Sequence, residues 1–273
     1  MSHDPGAAFR ALHHPGDPFV LANAWDAGSA RMLAALGARA IGTTSAGHAF
    51  TLGRPDMGRV TRDEALAHAE ALVAATPLPV SGDLENGYGD APEDVAQTVK
   101  LAAEVGLAGC SIEDTALPGT DAYPRDHAVE RIRAAVAAAR ALARDFVLVA
   151  RADGVMNGAY DLDEAIARIR AFEAVGADCV YVPAPGGEAA LARVVTAVSV
   201  PVNALAVGPL AQLGRTQFAA LGVARISLGS ALARMTHRVI HDAAQAMLGQ
   251  GRFDSHPVVS GKAVDELLLK GAR

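Results

Sequence analysis

The sequence predicts an α/β chain folded as a single (β/α)8 TIM-type barrel. Three observations carry this. Short, nearly continuous apolar runs of strand length alternate with longer helical patterns, which implies a parallel sheet covered by helices. Eight such units fill the 273 residues, a length common for a one-domain barrel. Four helical segments close on the same punctuation: Leu36-Gly37-Ala38, Val105-Gly106-Leu107, Val175-Gly176-Ala177 and Leu221-Gly222-Val223. Each glycine there can adopt the left-handed conformation that ends a helix. An open doubly wound sheet is the competing architecture. It would more often carry a glycine-rich phosphate turn after the first strand, and Asn23-Ala24-Trp25-Asp26 is not one. The domain is expected to cover 1–273, with the barrel core over about 19–248 and a C-terminal helical tail over about 249–273.

Composition bounds the function. Hydrophobic residues make up 51% and aromatic residues only 4%, so a large core must be built from small and branched aliphatics. The net charge is -6 with no basic run, so nucleic-acid binding has no electrostatic footprint. No apolar segment approaches the roughly 18 to 20 residues that span a bilayer. The stretch Met1 to Asp17 is polar and lacks a signal-peptide core. A cytoplasmic protein with neither nucleic-acid nor membrane partners is the expectation. Cys110 and Cys179 lie in apolar strand-like runs and read as buried, reduced thiols.

The elements follow in order. After a loose N-terminus, Phe19 to Ala24 reads as strand one. Asp26 opens a helix with Ala30, Leu33, Ala34 and Leu36 on one face. Ala40 to Thr44 reads as strand two, running into Ser45-Ala46-Gly47-His48 as a small-residue turn and then a loop with Gly53-Arg54-Pro55-Asp56. Thr61 and Glu64 form a capping box for a helix to Ala75. Strand three starts at Val80. Pro92-Glu93-Asp94 opens the next helix, with proline in the first turn and acids at its positive end. Strand four, Ala108 to Ile112, precedes a loop, Thr115 to Asp126, long enough to act as a lid. A helix over about His127 to Ala143, strand five over Phe146 to Ala150 and a helix over Leu162 to Val175 come next. Strand six spans Cys179 to Val182, its helix Glu188 to Val198, and strand seven Val200 to Val202, ending at Asn203. A short helix near Leu213 to Leu221, strand eight at Arg225 to Leu228 and a long helix over Ala231 to Leu248 complete the barrel. A last helical segment lies near Lys262 to Leu269.

In a barrel, chemistry sits at the C-terminal strand ends. Those ends collect Asp26, Thr44 to His48, Asp83 with Glu85, Glu113-Asp114, Arg151 with Asp153, Asn203 and Ser230, while the strand bodies are almost wholly apolar. Residues two apart on a strand face the same side, so Asp83 and Glu85 are expected to project together. Crowded carboxylates are costly without a cation. Hard oxygen ligands point to Mg²⁺ or Mn²⁺ rather than zinc. His237 and His241, spaced i, i+4, read as a solvated or subunit-contacting face. Only three lysines occur, Lys100, Lys262 and Lys270, none at a strand end, so Schiff-base chemistry is not expected. Stabilising an enolate would fall to the metal and Arg151. No nucleophile elbow is present. His48 is a candidate acid or base.

The run Asp83-Leu84-Glu85-Asn86-Gly87-Tyr88-Gly89, with Ser111-Ile112-Glu113-Asp114, Val149-Ala150-Arg151, Thr43-Thr44-Ser45-Ala46-Gly47 and Gly53-Arg54-Pro55-Asp56, resembles the isocitrate lyase/phosphoenolpyruvate mutase superfamily over roughly residues 19 to 245. The resemblance implies an α/β barrel, Mg²⁺, and homodimers or homotetramers that exchange the eighth helix between subunits. It implies Asp83 as the direct metal ligand, with Glu85, Asp56 and Glu113 acting through water; Glu85 departs from the usual aspartate. It implies Thr44, Ser45 and Ala46 as a cradle for substrate carboxylate and carbonyl, Arg151 as their cationic partner, and Asn203 as a holder of a second carboxylate. Glu113 and His48 join Arg151 as candidate catalytic residues. The chain departs from the family in its lid: Thr115-Ala116-Leu117-Pro118-Gly119-Thr120 replaces the lyases' Lys-Lys-Cys-Gly-His loop, and Gly119 and Pro183 replace the mutases' lysine and histidine. What remains is a core that binds and polarises a 2-oxo acid. The expected function is a Mg-dependent lyase that cleaves or decarboxylates a small 2-oxo acid or dicarboxylate, oxaloacetate-like or 2-oxoglutarate-sized, through an enolate. The alternatives are a phosphonopyruvate hydrolase or mutase, or a 2-oxo acid binding protein with little turnover.

Overall fold

The computed structural model describes residues 4–253 and 258–273. Residues 1–3 of the N-terminal stretch and 254–257 of the expected tail lie outside the described residues. Among the described residues, eight parallel strands close into a barrel in sequence order: β1 Phe19–Asn23, β2 Ala40–Gly42, β3 Val80–Asp83, β4 Gly109–Glu113, β5 Val147–Arg151, β6 Cys179–Tyr181, β7 Val202–Leu205 and β8 Arg225–Ser227. The longest pairing, β4 with β5, runs from Gly109↔Val147 to Glu113↔Arg151, so Glu113 and Arg151 emerge side by side at the mouth.

Helices cover the outside: α2 Ala27–Ala35, α3 Ser45–Thr51, α4 Arg62–Ala75, α5 Pro92–Glu104, α6 Arg125–Arg140, α7 Gly154–Asn157, α8 Leu162–Ala174, α9 Glu188–Thr196, α10 Arg215–Ala220 and α11 Ala231–Ala244. The main apolar layer lies between strands and helices, where Ile41, Leu72, Val95, Ile112, Leu148, Ile169 and Phe172 are buried together. The capping box of α4 is present: the Glu64 backbone N–H donates to Thr61 Oγ1, and the Thr61 backbone N–H donates to Glu64 Oε2 at 2.9 Å. Cys110 and Cys179 are buried and unpaired.

The N-terminal stretch from Asp4 onward is not loose. Pro5–Arg10 forms α1, capped by Asp4. Phe9 is fully buried and joins Phe19, Leu21, Val149 and Cys179 in the barrel interior. A short helix is marginal alone. Burying one phenyl ring contributes about 1.5–3 kcal/mol, and Arg10 adds ion pairs to Asp145 (2.7 Å) and Asp178 (2.6 Å). Below the strands, α1 therefore acts as a plug.

Other boundaries also move. β2 stops at Gly42, and Ser45 to His48 is the start of α3 rather than a turn. The helix α7 was not anticipated. The seventh helical segment divides into a 3₁₀ turn, Gly208–Gln212, and α10. The eighth helix gives way after Ala244 to a π turn, Gln245–Gly249. The tail helix, α12 Gly261–Gly271, folds back on α2; Gly271 is buried so closely that a Cβ would collide with the Arg31 carbonyl.

Candidate active site

Arg151, the last residue of β5, organises the mouth. Its Nη1 donates to Asp83 Oδ1 at 2.7 Å, its Nη2 lies 3.1 Å from Glu113 Oε2, and Nε and Nη2 both reach the Asp153 carboxylate at 3.0 and 2.8 Å. The guanidinium carbon stands 5.2 Å from the Tyr181 ring centroid, a cation–π contact. Burial opposes the charge on Arg151, but Asp153, Glu113 and Asp83 together hold it firmly protonated.

Asp83 closes β3. Its Oδ2 accepts from the Ser45 backbone N–H and hydroxyl, both at 2.9 Å, and its own N–H donates to Thr43 Oγ1 at 2.7 Å. Thr44 serves as N-cap of α3, its hydroxyl accepting from the Gly47 N–H. Ala46 is buried in the first turn of α3. Of the expected cradle, Ser45 thus reaches the acidic centre directly.

The parity argument for Asp83 and Glu85 does not hold. The strand ends at Asp83, Leu84 enters the core, and Glu85 has a left-handed backbone at φ 48°. Glu85 still turns toward the mouth, where it accepts from the Gly58 N–H at 3.1 Å. Burial, reinforced by Asp83 and Asp56, pushes its carboxyl up to about 7. Burial likewise raises Asp56, which feels Asp83 and Arg151, and Glu113, which feels Arg151 and then the acids around it.

These four carboxylates form a hard-oxygen donor set suited in chemistry to a Mg²⁺-like ion. As they stand, no three described His, Cys, Asp or Glu side chains converge to share one ion. Asp83 and Glu113 are instead each paired with the Arg151 guanidinium. The raised Glu85, Asp56 and Glu113 are acids in want of positive charge, which is the state a cation would relieve.

Two assignments need correction. Asn203 is not at a strand end. The β7 strand continues through Ala204 and Leu205, and Asn203 is enclosed in the barrel interior, its Nδ2 donating to Ser227 Oγ and its Oδ1 accepting from Arg225 Nε. His48 is not a loop residue. It sits within α3, stacked on His68 at 3.9 Å between ring centroids. Both of its ring nitrogens are shut from solvent and make no hydrogen bond of normal geometry. Burial, aided by His68, lowers it to about 4. So enclosed, the imidazole is held neutral and makes no hydrogen bond to a group at the mouth.

Sequence reasoning places Asp153 and Asp114 at the strand ends but gives them no role behind Arg151. Asp153 is fully buried, and its N–H donates to Asp114 Oδ1 at 2.9 Å. Asp114 in turn accepts from Tyr160 OH at 2.7 Å and Arg168 Nη1 at 2.9 Å. The Arg-Ala-Asp spacing at 151–153 was the available signal. The segment after Asp114 forms a tongue, pinned by a Thr115↔Ala122 bridge and by the Tyr123 N–H bonded to the Asp114 carbonyl. The tip residues Leu117 and Pro118 approach Gly58 beside Glu85.

A closed parallel barrel whose mouth gathers acids around one arginine is an enzyme architecture of the α/β-barrel type. The sequence model for the phosphoenolpyruvate phosphomutase family matches residues 9–248, and the chain belongs to that family, within the isocitrate lyase/phosphoenolpyruvate mutase superfamily. It is 33% identical over 210 residues to 2-methylisocitrate lyase of Escherichia coli K12, covering 74% of this chain and 70% of that one. It is 31% identical over 261 residues to an oxaloacetate decarboxylase of Paraburkholderia xenovorans LB400, covering 92% and 84%. A solved Burkholderia cenocepacia J2315 structure, provisionally described as a lyase or mutase, superposes with a TM-score of 0.91 at 46% identity, covering 96% and 94%. Relatives and structural neighbours of established activity include carbon–carbon lyases. Among the described residues, no helix is long and apolar enough to cross a membrane.

Proposed function

We propose that this protein is a metal-dependent carbon–carbon lyase that decarboxylates or cleaves a small 2-oxo dicarboxylate of oxaloacetate type. The observation that carries the reading is the fixed guanidinium of Arg151, held by three carboxylates, one of which, Asp83, also accepts from Ser45 at the start of α3. Such a centre can neutralise a substrate carboxylate and the charge that develops on the 2-oxo oxygen as the bond breaks. The tongue at 115–120 supplies no lysine, cysteine or histidine. Decarboxylation suits this inventory because it needs an electron sink and no strong base. In the balanced step, the C3–carboxylate bond breaks, its electron pair becomes the enolate of pyruvate, and CO2 leaves. The enolate carbon then takes a proton. That proton is taken from solvent at the mouth, since a bound cation would hold the surrounding carboxylates ionised. Mg²⁺ or Mn²⁺ would be held by Asp83, with Glu85, Asp56 and Glu113 reaching it through water, and would polarise the 2-oxo group. Thr44, Ser45 and Ala46 would flank the substrate head. The active form is proposed to be a homo-oligomer. The relationship to the Paraburkholderia decarboxylase supports this reading.

The test is an NMR-monitored panel of 2-oxo and 2-hydroxy acids, with phosphonopyruvate included, with and without Mg²⁺. The expected result is Mg²⁺-dependent release of pyruvate from oxaloacetate, reduced at least about 100-fold in Asp83→Ala. Metal-independent turnover or full activity in Asp83→Ala would overturn it. Phosphate released from phosphonopyruvate would replace it with P–C chemistry, and tight binding without product would replace it with a binding protein.

A further inference from the structure

Beneath Arg151 and Asp83 the barrel is not filled. A cavity of about 50 Å³ remains, lined by Arg225, Ser81, Ser111 and Tyr181 and roofed by Asp83 and Arg151. One water-sized group needs roughly 10–15 Å³. The space therefore suits a carboxylate with its adjoining carbon, but not a whole four-carbon acid, which would have to extend up into the mouth.

Arg225 is the unusual member of this lining. It begins β8, in register with Phe19 on one side and Asn203 on the other, so it rises from the lowest layer of the barrel. It is 3% exposed. Its Nε donates to Asn203 Oδ1 at 2.8 Å, while its Nη1 is shut from solvent with no hydrogen-bond partner. Among the described residues, no carboxylate forms an ion pair with it. Its charged neighbour is a second cation, Arg151, and burial pushes Arg225 toward its neutral form. The contrast with Arg151 is direct: one buried arginine holds three carboxylates, the other none. An uncompensated buried charge is strongly unfavourable, and an unused N–H adds to that cost. The barrel thus keeps an anion-shaped deficit at its floor, next to the hydroxyls of Ser81, Ser111 and Tyr181.

We propose that Arg225 is a specificity-determining residue whose free Nη1, with the Ser81 and Ser111 hydroxyls, binds the second carboxylate of a dicarboxylic substrate inside the barrel. This rests on the 2-oxo acid reading of the mouth and deepens it. The head of the acid lies at Arg151, and the distal carboxylate points down the barrel axis to Arg225. Where that carboxylate is the one lost, its ion pair with Arg225 breaks as the C3–carboxylate bond does, and neutral CO2 departs through the mouth. A two-carbon spacer places the carboxylates apart; a monocarboxylic acid of the same head leaves Arg225 unpaired.

Malate and lactate test this, since they share a 2-hydroxy acid head and differ in the distal carboxylate. Their affinities are measured by calorimetry with Mg²⁺ for the full chain, Arg225→Gln, Arg225→Lys and Ser111→Ala, with folding checked by circular dichroism. The wild type is expected to prefer malate by at least tenfold. Arg225→Gln should abolish that preference, Arg225→Lys should restore part of it, and Ser111→Ala, a small change on β4, should reduce it several-fold. A wild type that binds both acids equally would overturn the subsite. So would variants in which both affinities fall together and the ratio stays fixed, because that is the signature of a structural role. A malate preference that depends on Arg225 without turnover of any 2-oxo acid would leave the subsite standing and the lyase reading refuted. Oxaloacetate turnover with an unmoved ratio would do the reverse.

Discussion

At the scale of single residues, the site depends on what orients Arg151. Asp153 meets the guanidinium along its Nε–Nη2 edge and is itself positioned through Asp114, Tyr160 and Arg168. Arginine owes its directional binding to that planar fork, so a tilt of the fork is felt by Asp83 on the opposite side. Asp153→Asn keeps the shape and removes the charge. Breaking one partner of a buried pair costs about 3–5 kcal/mol, and the remaining bonds to Asp83 and Glu113 place this case at the low end. Denaturant unfolding should register that loss, and kcat/KM should fall at least about tenfold if the fork is displaced. Asp163→Asn, at an ion pair whose carboxylate is 76% exposed, is the control and should leave both within error. Equal behaviour of the two variants would show that Asp153 does not position Arg151.

At the scale of elements, much was legible and the failures share a cause. Apolar runs locate all eight strands, four of them preceded by a helix-closing glycine, and Thr61 with Glu64 marks the start of α4. What the chain does not display is which polar residues lie inside the barrel. Strand seven was ended at Asn203 because the first polar residue looked like the rim; the β7 strand continues because Asn203 is satisfied by Arg225 and Ser227 within the barrel. Arg225 was unremarkable for the same reason, since inward-facing parity follows from register with β1 and β7. His48 was misplaced because Ser-Ala-Gly-His has turn composition, and only the Thr44 cap and packing on α4 make it helical. These enclosed histidines have a consequence for pH. His13, on the barrel floor between Phe9 and Phe19, is lowered by burial, with Arg225 adding to the effect, to about 3; His48 lies at about 4. A histidine lowered in the folded state binds fewer protons than the unfolded chain, so its stabilising neutrality is complete above the unfolded value near 6.5 and is lost as pH falls toward the folded value. Glu85, raised to about 7, acts in the opposite sense as pH rises through 4.5 to 7, so the histidine contribution must be isolated by difference. The stability of wild type minus His13→Asn should decrease steadily from pH 7.5 to 4.5 in chemical denaturation. A difference independent of pH would mean that His13 is not enclosed.

At the scale of the whole molecule, the barrel is incompletely covered, and the uncovered part matches its own last helix. In a self-contained barrel the eighth helix shields the outer faces of β8 and β1. Here Val20, on β1, is 41% exposed and Leu36 68% exposed. They line a groove of about 280 Å³ with Leu33, Ala38 and Phe19. Meanwhile, among the described residues of α11, Ala233 alone is buried, and Met235, Val239 and Ile240 are 62%, 54% and 63% exposed. An apolar stripe of this kind on a helix is a contact face. A second copy of the chain is expected to fill both groove and stripe, each α11 lying against its partner's β1 and α2. Burying one aliphatic side chain contributes about 1.5–3 kcal/mol, so Ile240→Glu on the helix should weaken assembly at least about tenfold. Leu36→Glu, on the groove, should do the same without touching α11. Light scattering should show a dimer or tetramer of the 27.9 kDa chain at micromolar concentration, and smaller species for each variant. A monomeric wild type would refute the exchange. An assembly disturbed by Ile240→Glu but indifferent to Leu36→Glu would show that α11 docks elsewhere.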